Sequence, residues 1–187
     1  TTRSKPAPNI LKASPQTLPP VTSLARIIPP AGNAVPDLPT AAGKTLAFKT
    51  TTLISLWSRT CPHCRQELTT RAKEFQKLQT SGINLILFAT DQEPRAQCDA
   101  YLKSIGSTFP AEMASPQAVE MLDALQASIV DLWIPIPVPS SFLVSAEGEL
   151  LAIYRGPVTT NQVITDARLA TATPLQRRNA GTPFTGR

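Results

Sequence analysis

The sequence predicts an α/β fold: a mixed sheet of four to five strands with helices on both faces. Three observations carry this. Two short β-branched, apolar runs, Thr52 to Trp57 and Ile83 to Ala89, flank a stretch of helical period, and a strand, a helix and a strand of these lengths form a parallel pair with a right-handed crossover. Two more such runs, Ser140 to Ser145 and Glu149 to Tyr154, are separated only by Ala146-Glu147-Gly148, a short polar turn with glycine that joins antiparallel strands. The chain of 187 residues is 42% hydrophobic and has 3 cysteines, which suits one domain with a real core and excludes a disulfide-stapled miniprotein.

Taken in order, Thr1 to Pro39 hold nine prolines and no aromatic residue, so helix is excluded and burial would not offset the entropy of ordering. Residues 1–33 read as a Pro-rich linker or tail, and Val35-Pro36-Asp37-Leu38-Pro39 leads into a domain spanning 34–172. After the first strand, Cys64, Leu68, Ala72, Phe75 and Leu78 recur at three and four, giving an apolar face for the sheet while Arg65, Arg71 and Lys73 are expected to reach water. Gly82 supplies the stop. Pro94 to Ile105 reads as a second helix ending at Gly106, Ser115 to Val130 as a third with Ser115 as N-cap and Pro116 at its first position, and Gln162 to Ala172 as a last helix. From Thr173 the chain is rich in Arg, Thr, Pro and Gly, so 173–187 is expected to be a basic tail or interdomain linker.

Net charge is +5, but it sits at the ends: +4 over 1–33, +3 over 158–187, and −2 between. The core lacks the basic stripe with interleaved aromatics that nucleic-acid modules use, so no nucleic-acid partner is expected. No apolar run approaches the eighteen or so residues of a membrane helix, so no membrane span is expected. A start at Thr1 rather than Met reads as a processed or excised piece, tethered to other domains through its tails.

Chemistry concentrates at Cys61-Pro62-His63-Cys64. The motif follows a buried strand and opens a helix, where unpaired N–H groups and the macrodipole favour a thiolate at Cys61. Cys61 is then the nucleophile, and Cys64, one turn on and on the apolar face, the resolving thiol of a mixed disulfide. A four-ligand zinc site cannot be assembled, because there is no second such motif and His63 is the only histidine. A copper site from Cys61, Cys64 and His63, or an inert structural disulfide, stays open as the alternative. No cofactor or resident metal is expected.

Around this motif the chain resembles the thioredoxin superfamily, and within it the periplasmic thiol-disulfide oxidoreductases of the TlpA/ResA type. The residues that carry the resemblance are Val35-Pro36-Asp37-Leu38, Leu56-Trp57-Ser58, Cys61 through Glu67, and Val138-Pro139-Ser140-Ser141-Phe142-Leu143-Val144 followed by Gly148. It implies a thioredoxin-like fold, a cis peptide bond at Pro139, and a substrate site in which Val138 and Pro139 meet a bound peptide with Trp57 packed beneath the motif. It also implies cysteine-containing protein substrates, a redox partner, and a periplasmic or extracytoplasmic setting. The buried Asp of thioredoxins, six residues before the first cysteine, is replaced by Ser55. Glu67 matches the TlpA/ResA glutamate and is expected to relay a proton for Cys64.

Pro62-His63 between the cysteines, with Val138 before Pro139, resembles the oxidant DsbA. A histidine beside a thiolate stabilises the reduced form and makes the disulfide a stronger oxidant, so a fairly oxidising couple is expected, although the TlpA/ResA likeness points towards a reductant. Cys98 is expected as a buried helical thiol, and Trp133 as a packing residue near the Pro139 loop. A peroxidase is the weaker reading, because Thr60 directly precedes Cys61 instead of lying two or three residues ahead, as in peroxiredoxins.

Overall fold

The computed structural model describes residues 25–91, 94–130 and 135–181. Its strands are β1 (Ala25–Ile27), β2 (Thr52–Trp57), β3 (Asn84–Ala89), β4 (Ala111–Met113), β5 (Ser140–Val144) and β6 (Leu150–Arg155). Its helices are α1 (Pro62–Thr80), α2 (Arg95–Ser104), α3 (Pro116–Val130), α4 (Thr160–Ala167), extended by a 3-10 turn at Arg168–Thr171, and α5 (Pro174–Gly181). The strands form one sheet in the order β1-β6-β5-β2-β3-β4. β2 and β3 run parallel, with Thr52 opposite Asn84 and Trp57 opposite Ala89; β5 is antiparallel to both β2 and β6.

The central strands are buried on both faces, which explains why they are near-continuous apolar runs. Their alternation sorts the core into two layers. Leu53, Trp57, Leu85 and Leu87 pack with Cys64 and Leu68 of α1, Cys98 and Leu102 of α2, and Val163 of α4. Ile54, Leu56, Ile86 and Phe88 pack on the other face with Ala118 and Leu122 of α3 and with Leu38 from the lead-in segment. Ser55, at the position of the thioredoxin aspartate, is buried in the sheet and bonds Ser141 Oγ at 2.9 Å.

The sheet has six strands rather than four to five. β1 and β4 are three residues each, too short to show an alternating pattern. β1 falls inside the expected 1–33 linker yet pairs with β6, Arg26 opposite Tyr154. Arg26 reaches the buried carboxylate of Asp166 through Nε at 2.8 Å and Nη2 at 2.5 Å, and Asp166 also accepts from Tyr154 Oη at 2.8 Å and Gln162 Nε2 at 3.0 Å. The 173–187 tail is likewise structured over α5. Arg177, 2% exposed, pairs both guanidinium ends with Glu149 at 2.8 Å and donates from Nε to Leu169 O at 3.1 Å. Arg26 Nη1 then donates to Ala180 O at 2.8 Å, joining the two flanks. The folded unit therefore extends past 34–172 on both sides, held there by charged hydrogen bonds that span 28 to 154 residues and leave no local pattern. Residues 1–24 and 182–187, and Trp133, lie outside the described residues.

Arg71 also departs from expectation: it is buried, not turned to water. Cys64, Leu68, Arg71 and Leu78 share the inner face of α1, at spacings that fit a helical stripe as well as Ala72 does. Its charge is met one turn back by Glu67, whose Oε1 accepts from Arg71 Nη2, and the same nitrogen donates to Val158 O at 2.9 Å.

Candidate active site

α1 begins at the cysteine motif because the chain supplies its own cap. Cys61 is the N-cap, with φ −82° and ψ 114°, and Pro62 fills the first helical position, where no N–H is needed. Cys61 Sγ accepts the Cys64 backbone N–H at 3.2 Å, the place a capping oxygen usually takes. The same sulfur lies 3.4 Å from the carbonyl oxygen of Val138, and the Val138-Pro139 bond is cis. Pro139 is buried at the start of β5 while Val138 is half-buried, so the loop presents its backbone to Cys61. Gly156 N donates to Pro139 O at 2.9 Å, fixing that loop to the end of β6.

The two cysteines are unequal. Cys61 is partly exposed and Cys64 is fully buried, and both are thiols. Burial pushes the Cys64 thiol well up from its ordinary value, and its hydrogen bond with Cys61 adds to that. The backbone N–H of Ser58 acts on the same sulfur in the opposite sense. Pro62 and His63 are exposed at the helix tip. Trp57, at 1% exposure, is a wall beneath the motif rather than a surface a substrate could touch, and its ring stands 5.9 Å from that of Tyr101.

Glu67 is turned inward, with its side chain 8% exposed. Its Oε1 accepts from Arg71 and from Val158 N, the latter at 3.2 Å, so that oxygen faces the loop after β6. Beyond His63 a groove of about 440 Å³ runs along α1, lined by His63, Glu67, Arg71, Pro157, Val158 and Thr160. Cys98 is buried in α2, with its Sγ 3.6 Å from Asp91 Oδ2.

Asp91, two residues past β3, carries no motif in the sequence and is brought against the active-site turn only by the β2–β3 pairing. It accepts from Ser58 Oγ at 2.8 Å and from Arg59 N at 2.9 Å. Ser58 O in turn accepts Cys61 N at 3.2 Å.

Residues 36–153 match the AhpC/TSA family. The chain belongs to that family. Among individual proteins it is similar to the thiol-disulfide oxidoreductase ResA of Bacillus subtilis (strain 168), 23% identical over 110 residues, or 59% of this chain and 55% of the relative. The match thus spans about half the length of that curated relative. Among solved structures, a thiol:disulfide interchange protein of the thioredoxin family from Chlorobium tepidum TLS superposes with TM-score 0.57 at 18% identity, covering 78% of this chain and 97% of that one. StoA from Bacillus subtilis superposes with TM-score 0.51 at 22% identity, covering 73% and 98%. These likenesses make the fold thioredoxin-like. Among the described residues of this AhpC/TSA member, no helix is long and apolar enough to cross a membrane, and no three His, Cys, Asp or Glu side chains gather to hold a metal ion.

Proposed function

We propose that the chain is a thiol-disulfide oxidoreductase acting on cysteine-containing protein substrates through Cys61 and Cys64, together with a redox partner, outside the reducing cytoplasm. The observation that carries this is Cys61 Sγ at the N-cap of α1, receiving the Cys64 N–H and facing the Val138 carbonyl before cis-Pro139. In the oxidising direction a substrate thiolate attacks Cys61 Sγ of the Cys61–Cys64 disulfide. The S–S bond breaks and Cys64 leaves as a thiolate that takes up a proton. A second substrate thiolate then attacks the substrate sulfur of the mixed disulfide, and Cys61 leaves with both electrons. The substrate is oxidised by two electrons and the enzyme pair reduced.

The same proposal assigns the roles. Val138 and Pro139 line the path of the substrate backbone. His63, exposed at the helix tip, is the residue to which this reading assigns a couple on the oxidising side. Glu67 serves as proton relay for Cys64, its second oxygen being the one not engaged by Val158 N. The setting outside the cytoplasm rests on the TlpA/ResA resemblance, since such couples persist where thiols are not kept reduced.

The test is a glutathione titration of the Cys61–Cys64 pair with Cys98 replaced by Ala. A midpoint of about −120 to −200 mV supports an oxidant or isomerase, and about −250 mV or below a reductant. Cys61→Ser should abolish exchange and Cys64→Ser should trap a mixed disulfide. A pair that never exchanges with glutathione would leave a redox-inert or copper-binding module in its place.

A further inference from the structure

We infer that Asp91 is a positioning residue for this exchange site: its carboxylate fixes the Ser58–Cys61 turn from the β3 side, so that the Ser58 carbonyl keeps hold of the Cys61 N–H at the head of α1. This rests on the thiol-disulfide reading above and deepens it.

The turn between β2 and α1 has few anchors of its own. Thr60 N donates to Ser58 Oγ at 3.2 Å, and the Thr60 and Ser58 hydroxyls meet at 2.9 Å, but both contacts are internal to the turn and exposed. The external anchors come from the strand alongside. Thr90 N donates to Trp57 O at 2.9 Å, and Asp91 takes Ser58 Oγ on Oδ1 and Arg59 N on both oxygens, at 3.2 and 2.9 Å. Cys98 Sγ, at 3.6 Å from Oδ2, approaches the same carboxylate from α2. Ionised acceptors bind backbone N–H groups about twice as strongly as neutral ones, so this is the strongest tie on the turn. Ser58 is the residue it holds. The Ser58 carbonyl accepts Cys61 N at 3.2 Å.

The consequence falls on one half of the reaction. Resolution needs Cys64 to give up its proton, form the bond to Cys61 Sγ and expel the bound thiol as a thiolate, which then takes a proton from water. Cys64 is buried and fixed in α1, so it meets Cys61 Sγ only where the turn held by Ser58 sets that sulfur, whereas the first attack is on a partner that diffuses to Cys61. Loosening Ser58 therefore slows resolution. Attack by Cys61 keeps its own donor, Cys64 N, from within α1.

The experiment uses the reduced protein with Cys98 replaced by Ala and an aromatic disulfide dye that releases a coloured thiolate twice, once on attack by Cys61 and once on resolution by Cys64. Asp91→Asn keeps the shape but places an amide N–H₂ against a donor. It should leave the first release within about twofold and slow the second about fivefold, the factor of one net hydrogen bond of about 1 kcal/mol. Ser58→Ala, which removes the Oγ contacts to Asp91 and Thr60 but leaves Arg59 N on the carboxylate, should show the same asymmetry with a smaller factor, and it carries the test if Asp91→Asn does not fold. Equal slowing of both releases in step with a lower melting temperature, or no change in either, would overturn the inference. Vicinal thiols suffice for the dye, so a parent protein that releases both thiolates yet never exchanges with glutathione would sink the functional reading while still reporting on Asp91.

Discussion

Replacing Glu67 by Gln should cost the reduced protein about 3 kcal/mol at neutral pH. The magnitude comes from the burial of the pair: Arg71 is 2% exposed and the Glu67 side chain 8%, so solvent screens little. Arg71 has five N–H donors, of which those on Nη2 meet Glu67 and Val158 O, while Nε and Nη1 are buried with no hydrogen-bond partner among the described residues. The substituted amide keeps an acceptor but not the charge, leaving a buried guanidinium balanced only by carbonyl dipoles. Removing one member of a buried pair costs about 3–5 kcal/mol, and the slightly open Glu67 places this case at the lower end. That is about a 150-fold change in the folded-to-unfolded ratio and a fall in Tm of about 6–12 °C for a domain of this size. Denaturant melts of Glu67→Gln, Arg71→Met and the double variant measure it. With the stranded charge gone, the double variant should be no worse than Glu67→Gln and should recover about 1–2 kcal/mol of its loss. A Glu67→Gln loss below about 1 kcal/mol, or a double variant as unstable as the two losses added, would refute the reasoning.

Two further predictions concern pH. Tyr154 is pushed well up, first by burial and then by the Asp166 carboxylate, and Cys64 is pushed up by burial and its bond with Cys61. Both groups hold their protons longer folded than unfolded, so their stabilisation is complete below the unfolded values and is lost as pH rises from about 8.5 for the thiol and about 10 for the phenol. Reduced protein should thus weaken in that range, and Tyr154→Phe should flatten the upper part of the slope; an unchanged slope would refute the assignment. At the acid end, burial raises Glu149 but the Gly32 N–H and Arg177 outweigh it, so its carboxyl is held below the ordinary value. Its stabilisation is present above about pH 4.3 and is lost as pH falls further, and Glu149→Gln should remove that dependence in urea melts while also loosening α5.

The parts of this molecule legible in sequence are those whose pattern is local. The β2-α1-β3 unit announced itself by period, the 146–148 hairpin by Gly148, which takes φ 82° in the structure, and the cysteine motif by its place at a helix start. The cis bond at Pro139 came from family resemblance, because three alternating prolines in one loop do not say which one is cis. What sequence missed is held by partners far along the chain: β1 by Asp166, α5 by Glu149, and the Ser58 turn by Asp91, each a single charge whose neighbours carry no distinguishing composition. Arg71 is the instructive intermediate. Its spacing from Cys64 and Leu78 placed it on the inner face all along, and only the habit of sending arginine to water hid it.

The hydrogen bond from Arg26 to Ala180 brings the first described strand and the last described helix into contact. A chain whose flanks touch is topologically close to a ring, and the position of its break becomes a choice. Bridging residues near 26 and 180 with a short flexible link and reopening the backbone at the exposed turn 41–43 would preserve the pairings of all six strands and leave the motif at Cys61 untouched. Such a permuted ring would turn the two flanks from ends into an interior hinge, and its folding would show how much of the architecture depends on the order in which the elements are strung.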